Sequence, residues 1–253
     1  MIVLKTSKEL ELMKIANQIS SEALFRAGEM VRPGVSTWEV DQAAYKYIKS
    51  QKGAEPNFLG LYDFPATCCI SVNDEIIHGI PSKKRILKEG DIVSIDTGAK
   101  YGGYNGDNAY TFVCGSTTPE VQRLLDTTKE CLKRGIEAAI PGNRIGDISH
   151  AVQECAEAAG YGVIREYEGH GVGTKLHEDP GVPNFGKAGR GVRLLPGMTI
   201  AIEPMIAMGT YKIRQVPGDD WTVYTADGKP AAHFENTIAI TEDGPVILTP
   251  FKY

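Results

Sequence analysis

Cysteine is scarce in this chain, with five among 253 residues, an odd number and no Cys-x-x-Cys pair. These cysteines do not describe a disulfide framework, and a reducing compartment, the cytoplasm, is the simplest setting. Basic residues do not dominate either: 27 Lys and Arg stand against 32 Asp and Glu, a net charge of −5, which leaves no footprint for nucleic acid. No apolar run approaches the roughly 20 residues of a membrane span. The opening MIVLKTSKELELMKIA lacks the apolar core and small-residue cleavage site of a signal peptide. Proline- or serine-rich linkers, charge blocks and low-complexity tracts are also missing, so a single domain over 1–253 is expected. Hydrophobic residues at 42% suffice for a large core.

The elements are legible from their punctuation. Thr6-Ser7-Lys8-Glu9 is a capping box, and Leu12, Ile15, Ile19 and Ala23 follow at helical spacing, which predicts a helix ending before Pro33-Gly34. A second box, Ser36-Thr37-Trp38-Glu39, predicts a helix to about Gly53. An aromatic-rich loop spans Asn57 to Pro65, and short strands are expected at Cys68 to Val72 and Asp91 to Ile95. A long helix covers Pro119 to Ala139 and another runs to Gly160. Strands and glycine-bearing loops follow from Val163, ending at Pro245 to Thr249.

These elements repeat. Pro33-Gly34 with Glu39-Val40 is echoed by Pro141-Gly142 with Asp147-Ile148, 108 residues later. Gly90-Asp91-Ile92-Val93-Ser94-Ile95-Asp96 is echoed by Gly197-Met198-Thr199-Ile200-Ala201-Ile202-Glu203, and Asp107-Asn108-Ala109-Tyr110 by Glu235-Asn236-Thr237-Ile238. Three echoes in one order imply a duplicated helix–helix–strand–strand unit, with halves near 1–115 and 116–253 and an insertion within Gly209 to Ala231. The class expected is α+β.

The segment IVSIDTGAKYGGYNGDNAYTF, residues 92 to 112, reads as a hairpin closed near Lys100 to Gly103. It is expected to set Asp96 and Asp107 at facing positions, where like charges repel unless a cation lies between them. The echo adds Glu203 and Glu235. Four carboxylates sharing one dry site call for cations, and two divalent ions about 3.5–4 Å apart would neutralise them. Oxygen-rich ligation favours manganese, iron(II) or cobalt over a structural zinc. Three of the five histidines stand in glycine- or proline-bearing turns: His78 in IHGIP, His170 in GHGVG and His177 in LHEDP. His150 and His233 have no such context and are expected to be ordinary side chains.

The words ISVNDEIIHGIP, DTGAKYGGYNGD, EYEGHGVGTKLHEDP, LLPGMTIAIEPM and HFENTIAIT, spread over nearly the whole chain, resemble those of the methionine aminopeptidases. The resemblance implies the pita-bread fold shared with creatinase, in which pseudo-twofold duplicated antiparallel sheets are flanked by helices. It implies Asp96, Asp107, His170, Glu203 and Glu235 as ligands of two divalent ions (cobalt, manganese, iron(II) or zinc). Asp107 and Glu235 would bridge, His170 and Glu203 would complete one ion and Asp96 the other. Glu203 is then the base that takes and returns the proton, while His177 and His78 contact substrate. The implied activity is release of the initiator methionine from peptides and nascent chains, during protein maturation at the ribosome, by a monomeric cytoplasmic enzyme that prefers a small second residue.

By the same resemblance the methionine side chain would meet Phe58, Leu61, Phe64, Cys69, Leu176 and Trp221. Phe58, Leu61 and Leu176 depart from positions often held by cysteine, tyrosine and phenylalanine. The 32 residues from Glu203 to Glu235 leave no room for the helical subdomain of the type II enzymes, so the chain is similar to type I. Xaa-Pro peptidases share such a site but carry an extra upstream domain, and only 77 residues precede His78. A catalytically silent binding protein of the same fold is the reading from a different class, and it expects lost ligands; here all five are present.

Overall fold

The structure, a computed structural model, describes residues 1–250. In the first half, α1 (Ser7–Gly28) and α2 (Thr37–Ser50) precede β1 (Ala54–Pro56), a one-turn 3₁₀ segment at Leu61–Asp63, β2 (Cys68–Val72), β3 (Glu75–Ile77), β4 (Ile92–Tyr101) and β5 (Tyr104–Val113). The second half opens on α3 (Pro119–Ala138) and α4 (Ile145–Ala158). Strands β6 (Gly162–Val163), β7 (Gly169–Gly171), β8 (Glu178–Val182), β9 (Thr199–Ile202) and β10 (Met205–Ala207) follow. The chain then forms β11 (Ile213–Arg214), β12 (Val223–Thr225), β13 (Ala231–His233), β14 (Asn236–Thr241) and β15 (Gly244–Ile247). Every described strand pair is antiparallel, as the α+β expectation requires.

Both predicted capping boxes form. The Thr6 N–H donates to Glu9 Oε2 at 2.7 Å and the Glu9 N–H returns to Thr6 Oγ1 at 3.4 Å. Ser36 and Glu39 do the same at 2.9 and 3.3 Å. Each pair satisfies orphan donors that a helix start leaves open, worth about 1 kcal/mol per cap.

The sequence echo is repeated in hydrogen bonds. Gly34 N–H donates to Leu87 O at 2.9 Å, and Gly142 N–H to Leu194 O at 3.0 Å; Leu87 N–H returns to Val35 O at 2.8 Å, and Leu194 N–H to Asn143 O at 2.7 Å. Isolated bridges pair Ser36 with Ile86 and Arg144 with Arg193, again one per half. Two main sheets result. One carries β1 and β2 on one edge of β4 and β5 on the other; the second runs β15-β14-β9-β7-β8. The largest apolar cluster among the described residues draws on both halves, with Leu24, Ile92, Ile95, Leu124, Ile148, Ile200 and Ile238 all buried in it. The segment Gly209 to Ala231 contains β11 and β12, and β12 pairs with β3 of the first half.

Candidate metal centre and apolar pocket

The hairpin closes on a two-residue turn, Gly102-Gly103, with φ of 57° and 88°, a conformation that excludes most other residues. Its register corrects one expectation. Asp96 pairs with Ala109, and Asp107 with Gly98, so the two acids are diagonal neighbours on one face rather than directly opposed. Diagonal Cβ atoms lie roughly 7–8 Å apart, which lowers the repulsion and leaves room for an ion between the carboxylates. In the second half the β9–β14 ladder ends at Ile202 opposite Asn236, so Glu203 and Glu235 continue it as the next facing pair.

Asp107 is held from both sides. Its N–H donates to Asn17 Oδ1 on α1 at 3.3 Å, and its carbonyl accepts the Thr237 hydroxyl of β14 at 2.8 Å. The Glu235 N–H donates to Ala109 O at 2.9 Å, tying the second sheet to the first. Asn184 Nδ2 donates to the Glu203 carbonyl at 2.9 Å. His170 lies between two glycines that cannot carry a Cβ: one at Gly169 would stand 2.3 Å from Ala201 O, and one at Gly171 2.3 Å from Asp179 O. The Gly-His-Gly spelling thus lets β7 be pressed between β8 and β9 with the imidazole directed into the cluster. His170 Nδ1 meets Gly171 O at 2.9 Å; donation there leaves the Nε2 lone pair free.

His170 Nε2 is 3.5 Å from Asp107 Oδ2 and 3.6 Å from Glu203 Oε1. Burial pushes the Asp96 carboxyl up to about 7 and that of Glu203 up to about 8. Asp107 and Glu235 are driven well above the ordinary carboxylate range, first by burial and then by the neighbouring acids. Burial also pulls His78 and His170 down to about 4, and lowers His177 and His233, so all four imidazoles are neutral near pH 7. Asp96 Oδ1, Asp107 Oδ1 and Glu235 Oε1 are buried with no hydrogen-bond partner. Such oxygens are costly to strand, and converging with neutral imidazole they form the donor set of a hard or borderline divalent cation. The residues fit a metal centre.

Beside it lies a cavity of about 740 Å³ lined by Asp96, Asp107, His170, Glu203 and Glu235, by His78 and His177, and by an apolar wall. The wall is one packed cluster of Phe58, Phe64, Ala66, Cys69 and Leu176, with Leu61 and Trp221 against it. All six side chains named for the pocket therefore meet, and Ala66 joins them. Phe64 and Trp221 are in edge contact at 4.9 Å, and Trp221 also stands edge-on to His78 at 6.2 Å. His78 has a left-handed backbone, φ 60°, which a residue with a Cβ adopts at some cost. His177 is at the mouth, 4.4 Å ring to ring from His170.

His150 is exposed on α4, as expected. His233 is not ordinary. It is buried, with Nε2 3.3 Å from Glu203 Oε2. Its signal was available, since it precedes Glu235 by two residues in an extended stretch, the spacing that returns side chains to one face. Tyr62, stacked over His177 at 6.0 Å, and the lining residues Tyr167 and Glu168 had no such signal.

Residues 11–242 match the model of metallopeptidase family M24. A methionine aminopeptidase of Clostridium acetobutylicum is 50% identical over 249 residues, covering 98% of this chain and 99% of that protein. The crystal structure of a methionine aminopeptidase from Thermotoga maritima superposes with a TM-score of 0.96 at 45% identity, covering 98% and 99% of the two chains. A prolidase from Pyrococcus furiosus superposes at 0.80 with 30% identity, and this chain covers 66% of it. The fold is the pita-bread fold these structures share, and the chain belongs to the methionine aminopeptidases of metallopeptidase family M24.

Proposed function

We propose that this enzyme removes the N-terminal methionine of peptides and proteins by hydrolysis of the first peptide bond. The single observation that carries the reading is the adjacency, in one cavity, of the carboxylate–imidazole centre and the closed apolar cluster of Phe58, Leu61, Phe64, Cys69, Leu176 and Trp221. An unbranched thioether side chain fits such a wall, where sulfur against aromatic edges adds about 0.3–1.5 kcal/mol.

Asp96, Asp107, His170, Glu203 and Glu235 would hold two divalent ions. Bound there, the ions supply Lewis acidity and lower the pKa of water toward neutrality. The chain's own groups do the rest. The neutral α-amine of the substrate is received on the Asp96 side, which fixes the cut at one residue from the end. Glu203 takes the proton of the attacking water and returns it to the departing amine. His177, neutral at the mouth, donates to the oxygen that gains charge, and His78 holds the scissile amide. Both halves contribute ligands, and the shared core supports reading residues 1–253 as one catalytic domain.

Nascent chains at the ribosome are the natural substrate, a small second residue is preferred, the enzyme acts as a monomer, and manganese, iron(II), cobalt or zinc serves as the ion. Five free, buried cysteines support a reducing, cytoplasmic location. The test is a panel of Met-X and X-Pro peptides offered to metal-free protein reloaded with each ion in turn. Release of methionine from Met-Gly-type peptides is expected, and loss of cleavage when the α-amine is blocked. Preference for X-Pro peptides, or equal cleavage of blocked ones, overturns the reading.

A further inference from the structure

Two trios of potential ligand atoms share Glu235. Asp107, His170 and Glu235 form one, Glu203, His233 and Glu235 the other, and within each trio the donor atoms lie within 4.8 Å of one another. The first trio is drawn from the ligand set above. The second contains a histidine with no role in it.

We propose that His233 Nε2 is a direct ligand of a divalent ion held with Glu203 and Glu235, an inference that rests on the metallopeptidase reading and adds a donor to it. The ring is 1% exposed, and its Nε2 is buried with no hydrogen-bond partner. A buried imidazole nitrogen without a partner is disfavoured unless something else uses its lone pair. Glu203 Oε2 is 3.3 Å away, near enough to accept a hydrogen bond, yet the alignment for one is absent. Co-ligands of one ion have this relationship. At metal–ligand distances of about 2.1 Å, neighbouring donors stand about 3 Å apart with their lone pairs aimed at the ion rather than at each other.

His170 shows the same relationship to the other oxygen of the same carboxylate, 3.6 Å from Glu203 Oε1 without a hydrogen bond. Glu203 is therefore bracketed by two imidazoles, one beside each oxygen. The position of His233 is also constrained from behind. Its N–H donates to Thr111 Oγ1 at 3.0 Å, its carbonyl accepts the Thr111 hydroxyl at 2.8 Å, and β13 pairs it with Met205. The following residue, Phe234, is buried edge-on against Tyr110 at 4.7 Å. A residue whose backbone is fixed by three such contacts, with its ring nitrogen near two carboxylates, offers a preorganised donor.

Ring-¹⁵N-histidine labelling decides the matter. Metal-free protein is titrated with Zn²⁺ while two-bond proton–nitrogen correlations of the imidazoles, linked to their own backbone amides, are recorded. The expected result is that Nε2 of His170 and of His233 both move to the metal-bound shift and neither carries a proton. H233Q then removes one of these two signals and weakens Zn²⁺ uptake, measured by chelator competition, by at least about tenfold. A His233 Nε2 that retains its proton in the loaded protein, while that of His170 becomes metal-bound, overturns the proposal and leaves the metal centre standing. If neither histidine responds, the metallopeptidase reading fails with it. The wild-type spectrum alone separates these outcomes, whether or not H233Q folds.

Discussion

The Thr237 hydroxyl donates a 2.8 Å hydrogen bond to the Asp107 carbonyl, joining the two sheets at a residue of the candidate metal centre. Both groups are buried, so T237V strands a carbonyl at the junction. A loss of about 1–3 kcal/mol in chemical denaturation is expected, together with weaker metal uptake as Asp107 loosens. Unchanged uptake in a destabilised variant would show that the bond serves the fold alone.

Glu203 is the proton carrier in the proposed reaction. E203Q keeps the volume and removes the charge, so kcat should fall by about 10²–10⁴-fold while far-UV circular dichroism stays as in the parent. Turnover of a Met-Gly-Met peptide at the parental rate contradicts the role.

Asp41 acts on the pocket from behind. Its buried Oδ1 accepts the N–H groups of Thr67 at 2.9 Å and Cys68 at 2.9 Å, fixing the backbone that presents Ala66 and Cys69 to the apolar cluster. D41A leaves two buried donors unpaired, about 1–3 kcal/mol each. Raised KM for Met-peptides with a smaller change in kcat is expected, and D41N, which retains an acceptor oxygen, should restore most of the difference.

The acidic centre predicts a pH dependence for the metal-free protein. Asp96 at about 7 and Glu203 at about 8 bind protons more tightly folded than unfolded, where they titrate near 4. The stability this confers is complete below pH 4 and is lost as pH rises through 7 and 8. Chelator-treated protein should therefore melt lower at pH 8.5 than at pH 6, and added divalent ion should raise the melting temperature more at pH 8.5. Equal melting temperatures at the two pH values contradict the coupling.

Leu176 forms part of the pocket wall. L176A should create space and erode discrimination between methionine and larger apolar first residues, where a methylene-sized difference is worth about 1–3 kcal/mol. Competing Met-Gly and Phe-Gly peptides read this directly; an unchanged ratio removes Leu176 from the specificity wall.

Much of the molecule was legible in its sequence because the signals are local. Capping boxes at Thr6 and Ser36 depend on atoms three residues apart, and the Gly102-Gly103 turn on two backbone angles. The echoed Asp96, Asp107, Glu203 and Glu235 identified a centre because burying four acids together has few physical solutions. Tertiary structure alone decided the rest. Asp96 faces Ala109 and not Asp107, since the ladder is set by the two-residue turn and the packing of α1 on β5 rather than by the charges. No motif surrounds His233 itself, and its two-residue spacing from Glu235 acquires a meaning only once the strands are paired. Thr111, 122 residues away, and Met205 hold its backbone, and the pairing of β10 with β13 within the second half brings its ring beside Glu203. Local chemistry wrote the elements and named the acids; long-range register placed the imidazole.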